Sequence, residues 1–382
     1  QQHRWDRRRH AKASRIEAVQ AHTNGKVVRP GRLIDFLHNA LQPGDRIALE
    51  GDNQKQADYL SRSLAECDPA RLHDLHMLIS SVSRGEHLDL FDRGIAAKLD
   101  LAYAGPQSVR IAQMVEDGTI SVGAIHTYVE LYGRMFTDLA PNVALLCADA
   151  ADSTGNLYTG PNTEDSPTIA EATAFHDGLV IVQVNELVNG VEDLPRVDIP
   201  GSWVDFVVVS DKPYAIEPLF TRDPRQIGDV EILKAMIALR GVYERHMVES
   251  LNHGVGFDTA AIELILPTYG DKLGLKGRIA KHWILNPHPT LIPAIESGWV
   301  SSVHSFGGEP GMNRYTAARP DVFYTGADGS LRSNRVLAQL AGQYAIDMFI
   351  GSTLQMDKDA NSSTVTDGRL SGFGGAPNMG HD

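Results

Sequence analysis

Two patterns of apolar residues alternate along this chain. Short, nearly unbroken apolar runs occur at Arg46-Ile47-Ala48-Leu49, His76-Met77-Leu78-Ile79-Ser80-Ser81-Val82, Val143-Ala144-Leu145-Leu146-Cys147-Ala148, 178–184 and 203–209. Between them, apolar residues recur every three or four positions, as Leu33, Ile34, Leu37 and Leu41 do. The runs predict strands covered on both faces, the signature of a parallel sheet. The spaced stretches predict helices over 31–41, 55–67, 86–98 and 108–116, with a further strand over 100–103. Pro43-Gly44-Asp45 turns the chain into the strand at 46–49, and Glu50-Gly51-Asp52-Asn53-Gln54 separates that strand from a helix. Strand, polar glycine loop and helix open a βαβ unit, whose loop lies at the strand end where open α/β sheets bind ligands.

The same plan recurs further on. A helix over 229–250 carries Ile232, Met236, Leu239, Val242 and Met247, and the domain boundary is placed along it. Asn252-His253-Gly254-Val255-Gly256-Phe257-Asp258 then leads into a helix through Leu264, and strands are expected at 278–285, 299–305, 322–324 and 345–352. The expectation is an α/β chain in three parts: a basic arm over 1–30, a first domain over 31–235 and a second over 236–382. The arm is defined by Arg4, Arg7, Arg8, Arg9, Lys12 and Arg15, which form either a solvated helix or a grip for an acidic partner.

Near the end, 371–380 holds four glycines and a proline, which excludes a helix interior or a packed strand. Such a run is either a flexible tail or a loop that brings bare backbone N–H groups to a ligand. Those groups suit a phosphate, or the oxygen that becomes negative when a thioester is attacked. The strand expected at 345–352 predicts a loop held in place.

Composition narrows the function classes. The 382 residues suffice for two domains with cores, and 42% hydrophobic with 22% charged residues is ordinary for a globular protein. A net charge of −13 argues against nucleic acid as the main partner. Cys67 and Cys147 have no paired spacing, so neither a disulfide framework nor a thiolate metal site is indicated, and a cytoplasmic location fits. No apolar run approaches the roughly 20 residues of a membrane helix. Gly254-x-Gly256 is too short for a dinucleotide fingerprint, and no Walker loop, HExxH or GxSxG occurs. His73/His76 and His282/His288 lack framing carboxylate or thiolate ligands, so no metal is expected. Asp149-Ala150-Ala151-Asp152 and Pro161-Asn162-Thr163-Glu164-Asp165 read as turns or as polar site loops.

The order of these phrases resembles a known family. Asn142 to Asp152 with Gly155-Asn156-Leu157, then Ile199-Pro200-Gly201 and Val204-Asp205, resembles the first half of the CoA-transferase superfamily. Asn252-His253-Gly254-Val255-Gly256 and Ser371-Gly372-Phe373-Gly374-Gly375 resemble two loops of its second half. Within the superfamily the chain is most similar to the malonate decarboxylase α-subunit family. Glu50-Gly51-Asp52-Asn53-Gln54-Lys55-Gln56-Ala57-Asp58, Gly160-Pro161-Asn162-Thr163-Glu164-Asp165, Asn286-Pro287-His288-Pro289-Thr290 and the final glycine run carry that similarity.

The resemblance implies two CoA-transferase-like open α/β domains in tandem, with parallel-rich sheets. It implies transfer of an acyl carrier between acetate and malonate. No tightly bound cofactor is expected; an acyl carrier protein, or CoA, supplies the phosphopantetheine thiol. Carrier protein and decarboxylase subunits are the implied partners. Gly374 and Gly375 are the implied oxyanion donors, and Asn286, Asn53 and Gln54 orient substrate carboxylates. Asn162 and Glu164 line the site, and Gly254 and Gly256 admit the carrier arm. The superfamily's covalent members carry Glu-Asn-Gly at the strand matched here by 278–285, which leads into Asn286-Pro287-His288 instead. That departure implies transfer without an enzyme-bound glutamyl thioester, with Glu309 as the fallback nucleophile. A free-CoA transferase and a non-catalytic carrier-binding scaffold are the alternatives. Relatives in the family run past the glycine loop, so this chain is expected to be a piece of a longer one.

Overall fold

The computed structural model describes residues 4–52, 55–161, 163, 165–214, 223–305, 309–324, 346–351 and 353–378. Asn53, Gln54, Asn162 and Glu164 lie outside the described residues. The chain forms two compact units, one of residues 1–215 with 355–375 and one of 216–354 with 376–382.

In chain order the first unit contains α1 (Arg4–Val19), β1 (Thr23–Asn24), β2 (Val27–Val28), α2 (Leu33–Ala40), β3 (Arg46–Leu49), β4 (Gly51–Asp52), β5 (Lys55–Gln56) and α3 (Asp58–Ala65). It continues through β6 (Leu75–Ser81), α4 (Glu86–Asp92), β7 (Ala96–Tyr103), α5 (Ser108–Glu116), β8 (Ser121–Ile125) and α6 (Tyr128–Met135). The last elements of this stretch are β9 (Val143–Asp152), β10 (Leu157–Tyr158), α7 (Ser166–Ala174), β11 (Leu179–Val188) and β12 (Phe206–Val209). One sheet runs in the order β1-β2-β12-β11-β9-β3-β6-β7-β8, with β10 folded back on β9. Every pair from β2 to β8 along that order is parallel. The continuous apolar runs are its middle strands: Leu145 pairs with Ile181 on one side and Leu49 on the other. All three are at most 1% exposed, which contributes about 1.5–3 kcal/mol per side chain relative to exposure.

Several boundaries differ from expectation; the helix expected over 86–98 ends at Asp92, and the strand expected at 100–103 begins at Ala96 as β7. β9 runs on through Asp149 to Asp152, because β10 pairs with it and moves the turn to 153–156. Asp152 Oδ1 closes that turn by accepting the N–H groups of Thr154 and Asn156 at 2.9 and 3.0 Å. A 3-10 turn over Gly201–Trp203 confines the strand expected at 203–209 to β12. β8 carries no apolar run because it is an edge strand with no fully buried residue.

The basic arm is also corrected. Three cations of α1, Arg8, Lys12 and Arg15, are used within the unit, while Arg7 and Arg9 stay exposed. Arg15 forks onto Asp45 at 2.6 and 2.8 Å, Lys12 meets Asp205 at 2.8 Å and the Gly178 carbonyl at 2.9 Å, and Arg8 donates to the His176 carbonyl at 3.2 Å. Asp45, Gly178 and Asp205 each directly precede a parallel strand. α1 therefore closes the N-terminal end of the sheet, and its C-terminal end is left for the loops.

The second unit contains α8 (Asp229–Ala238), β13 (Ser250–His253), α9 (Phe257–Ile265), β14 (His282–Ile284), α10 (Ile292–Glu296), β15 (Ser302–His304), α11 (Met312–Ala317) and β16 (Met348–Ile350). Its sheet is parallel in the order β15-β14-β13-β16, over a core that includes Leu251, Trp283, Trp299 and Phe323. The units divide at 215/216, ahead of α8 and ahead of the boundary placed at 235/236. The strand expected over 278–285 is only His282–Ile284, since Ala280 has a positive φ of 51° that breaks extended pairing. β16 is a half-buried edge strand, and 322–324 contributes a single bridge, Val303 to Phe323.

The chain then returns to the first unit as two hairpins, β17 (Gln355–Met356) with β18 (Ser362–Ser363) and β19 (Val365–Thr366) with β20 (Arg369–Leu370). The glycine loop is thus fed by β20 and not by the strand at 345–352. Among the described residues no helix is long and apolar enough to cross a membrane.

Candidate functional site

In the first unit, the loops at the C-terminal end of the sheet gather buried polar groups. Glu50 ends β3, and its carboxylate accepts the Cys147 N–H at 2.9 Å and the Ser166 hydroxyl. Lys55, fully buried, lies 3.5 Å from Glu50 and donates to the Cys147 carbonyl at 2.5 Å and to Ser166. Burial pushes Glu50 up, against the pull of the Lys55 ammonium and the two donors. Burial also opposes the charge on Lys55, and Glu50, Cys147 and Asp149 together outweigh it and hold its pKa up. An ion pair this deep survives through such extra hydrogen bonds. It ties the Glu50–Gln56 loop to β9 and to the start of α7. Asp165 accepts from Tyr132, and Asp149 accepts from Tyr214 at 2.9 Å and from Asn185 at 3.2 Å.

The glycine loop docks on this end of the sheet. Ala104 N–H donates to the Ser371 carbonyl at 2.8 Å, Gly374 N–H to the Ala102 carbonyl at 3.0 Å, and Tyr128 N–H to the Gly374 carbonyl at 3.1 Å. Gly372 and Gly374 have φ of +69° and +58°, where glycine is favoured. A Cβ on Gly372 would overlap the Ala102 carbonyl, and one on Gly374 would lie 3.2 Å from the Tyr128 ring. The oxyanion role expected of Gly374 is therefore corrected, because its N–H is spent on Ala102. Gly375 N–H has no partner among the described residues and keeps that role available. The glycines here serve close packing first, so intolerance of a side chain at Gly374 does not separate an enzyme from a scaffold.

In the second unit a different cluster underlies the loops after β13 and β14. The Glu263 carboxylate, fully buried in α9, accepts from His253 Nδ1 at 2.9 Å, His288 Nε2 at 2.6 Å and Thr290 Oγ1 at 2.5 Å. The Tyr243 hydroxyl meets His253 Nε2 at 2.6 Å, and His288 Nδ1 meets the Asn286 carbonyl at 2.8 Å. Glu309 N–H donates to the Pro287 carbonyl at 3.3 Å, so Glu309 and Asn286 belong to one loop cluster. At Gly254, expected to admit the carrier arm, the N–H bonds the Ile350 carbonyl at 2.7 Å, and a Cβ would lie 3.1 Å from Gly351. Gly256 begins α9, and its carbonyl accepts from Thr259 at 3.0 Å.

The structure thus brings Asn286 and Glu309 together, sets Gly254 and Gly256 beside β16 and α9, and keeps Gly374 and Gly375 in the first unit. Sequence reasoning passed over Lys55 and Glu263. Glu263 is a single charge among buried residues, and in Ala260-Ala261-Ile262-Glu263-Leu264-Ile265 that isolation was the available signal; Lys55 lies among Glu50, Asp52 and Asp58 and offered none. Among the described residues no group of three or more His, Cys, Asp or Glu could hold a metal ion.

Comparison with known proteins gives one consistent result. A family model described as malonate decarboxylase, alpha subunit, transporter matches residues 4–382. A protein from Malonomonas rubra named acetyl-S-ACP:malonate ACP transferase is 56% identical over 379 residues, covering 99% of this chain and 68% of that protein. A Pseudomonas malonate decarboxylase hetero-tetramer, solved in complex with malonate, contains a chain 66% identical with a TM-score of 0.95; the match covers 99% of this chain and 69% of that one. An acyl-CoA transferase from Escherichia coli O157:H7 is 16% identical with a TM-score of 0.60 over 92% of this chain and 77% of that one, a similarity of fold alone.

Proposed function

The chain belongs to the family of malonate decarboxylase alpha subunits, and on that premise we propose that it exchanges acetate for malonate on an acyl-carrier thioester. The products are malonyl-S-carrier and free acetate. The observation that carries the proposal is the 56% identity, over 99% of this chain and 68% of that protein, to a transferase named for this exchange.

A carboxylate oxygen of malonate attacks the acetyl carbonyl carbon, the carbon–sulfur bond breaks, and the carrier departs as thiolate. The thiolate then attacks the malonyl carbonyl of the mixed anhydride, and acetate leaves with the bridging oxygen. Negative charge builds on a carbonyl oxygen in each step, which a preorganised N–H stabilises; one such donor is typically worth about 10²–10³ in rate. Gly375 N–H serves there. Asn286, whose loop is held by His288 and Glu263, orients a substrate carboxylate, since a neutral amide donates without adding charge. Asn53, Gln54, Asn162 and Glu164 contact substrate from the loops braced by the Glu50–Lys55 pair. Gly256 lets the carrier arm approach α9. Glu309 acts as nucleophile only if a covalent route operates.

The proposed partners are an acyl carrier protein subunit, which brings the phosphopantetheine thiol, and the decarboxylase subunits that consume malonyl-carrier. The proposed location is the cytoplasm, where two unpaired buried cysteines are at home. The test is the mass of the carrier: with malonate present, acetyl-carrier converts to malonyl-carrier with release of acetate. Binding of carrier without conversion supports the scaffold, and equal rates with acetyl-CoA support the free-CoA transferase.

A further inference from the structure

We propose that a cavity between α8 and α9 in the second unit receives the pantoyl group of the carrier's phosphopantetheine arm. This rests on the transfer proposed above, which brings that arm to the protein. The arm joins a phosphate, a pantoyl unit, two amides and a terminal thiol. The pantoyl carbon with its two methyl groups is the one branched apolar part, and a hydroxyl and an amide adjoin it. Such a group calls for a small apolar hollow with a donor and an acceptor at its edge.

The cavity has a volume of about 140 Å³, against the roughly 10–15 Å³ that one water needs. Its apolar lining is Ala235 and Ala238 of α8, Ile262 of α9 and Ile350 of β16. His253 pairs with Ile350 in register, so the cavity lies at the C-terminal ends of β13 and β16, where open parallel sheets take ligands. Thr259 also lines it, and its hydroxyl donates to the Gly254 carbonyl at 2.7 Å. The cavity thus adjoins the Gly254–Gly256 loop, past which the arm approaches α9.

The polar groups sit at its edge. Lys234 Nζ lies 2.6 Å from Asp258 Oδ1, and both side chains are about half exposed, which places the pair where the cavity opens to solvent. Glu231 lies 4.0 Å from Lys234 as well. Two carboxylates around one ammonium disfavour a phosphate here and suit a neutral segment. An amide carbonyl accepts from Lys234, and the pantoyl hydroxyl or an amide N–H donates to Asp258. The two methyl groups cover the apolar lining, which the unbranched parts of the arm would leave partly bare.

The experiment fills the cavity in the assembled enzyme and compares two thioester donors. One is acetyl-carrier; the other is acetyl-N-acetylcysteamine, which keeps the thiol end and lacks the pantoyl unit. Wild-type conversion of acetyl-carrier to malonyl-carrier tests the function itself. Ala238→Leu is then expected to raise KM for acetyl-carrier about 10- to 30-fold, the worth of burying two methyl groups, with kcat and KM for malonate within about threefold. Transfer from the truncated donor is expected to stay within about threefold, which reports that the variant is folded. Lys234→Met, at a half-exposed position, is expected to raise the same KM about 2- to 10-fold through the lost amide contact. An unchanged KM for acetyl-carrier in Ala238→Leu, or an equal loss with both donors, overturns the assignment while wild-type transfer keeps the function standing. A loss with acetyl-CoA and none with acetyl-carrier overturns the carrier's arm as occupant in favour of free CoA.

Discussion

His288 Nε2 lies 2.6 Å from the Glu263 carboxylate, inside the second unit and out of reach of water. The other ring nitrogen faces the Asn286 carbonyl, which can only accept. Three donors converge on Glu263, and His288 faces an acceptor on each side. The pair fastens the Asn286 loop to α9, and through His253 it also fastens the end of β13.

Removing one partner of such a pair leaves the other charge buried and uncompensated. Glu263→Ala is expected to lower stability by about 3–5 kcal/mol. Denaturant unfolding followed by tryptophan fluorescence measures this, since Trp283 packs against His253 with ring centroids 4.6 Å apart. A loss below about 1 kcal/mol would mean that Glu263 does not hold the cluster together.

Gly374 has φ of +58° and its carbonyl and N–H both bind the sheet end. Gly374→Ala forces a side chain into the left-handed region and against Tyr128, at a cost of about 1–2 kcal/mol. The expected readout is a lowered unfolding midpoint together with slower transfer, as the loop carrying Gly375 shifts. An unchanged midpoint would show that the loop is not docked on β7.

Burial lowers the pKa of His87 to about 4, aided by the Arg84 charge and opposed by Glu86, Asp58 and Asp89. The unfolded chain binds that proton near the ordinary 6.5 and the folded chain does not, so stability rises with pH between about 4 and 6.5. This contribution is complete above pH 6.5 and lost as pH falls, by about 3 kcal/mol across the window. His87→Leu removes both the titration and the unpartnered ring. Its melting temperature is expected to fall less than that of wild type between pH 7.5 and pH 5. Parallel acid sensitivity in the two proteins would contradict a neutral, buried His87.

Much of the fold was legible because apolar runs and turn signals are local. Pro43-Gly44-Asp45 and the apolar 47–49 predict β3 and its loop from neighbours alone. The glycine run was legible as a loop, but the partner of Gly374 is Ala102, more than 270 residues earlier, and local pattern is silent on such pairing. The role expected of the Gly374 N–H failed for that reason: a glycine signals close approach, and here what approaches is the chain itself. The inward cations of the arm were hidden likewise, since Asp45 and Asp205, which take up Arg15 and Lys12, are distant in sequence. The motif singled out Asn286 and Glu309, whereas the carboxylate beneath Asn286 was hidden in an apolar helix.

The most direct test of the proposed transfer follows oxygen. Malonate labelled with ¹⁸O in both carboxylates is incubated with unlabelled acetyl-carrier and a molar excess of enzyme, so that each site turns over once, and the released acetate is weighed by mass spectrometry. Direct attack of malonate on the acetyl group predicts one ¹⁸O in each acetate released, because the bridging anhydride oxygen departs with it. Acetate free of label, with ¹⁸O recovered in a protein carboxylate such as Glu309, would contradict direct transfer, and an absence of malonyl-carrier would contradict the function.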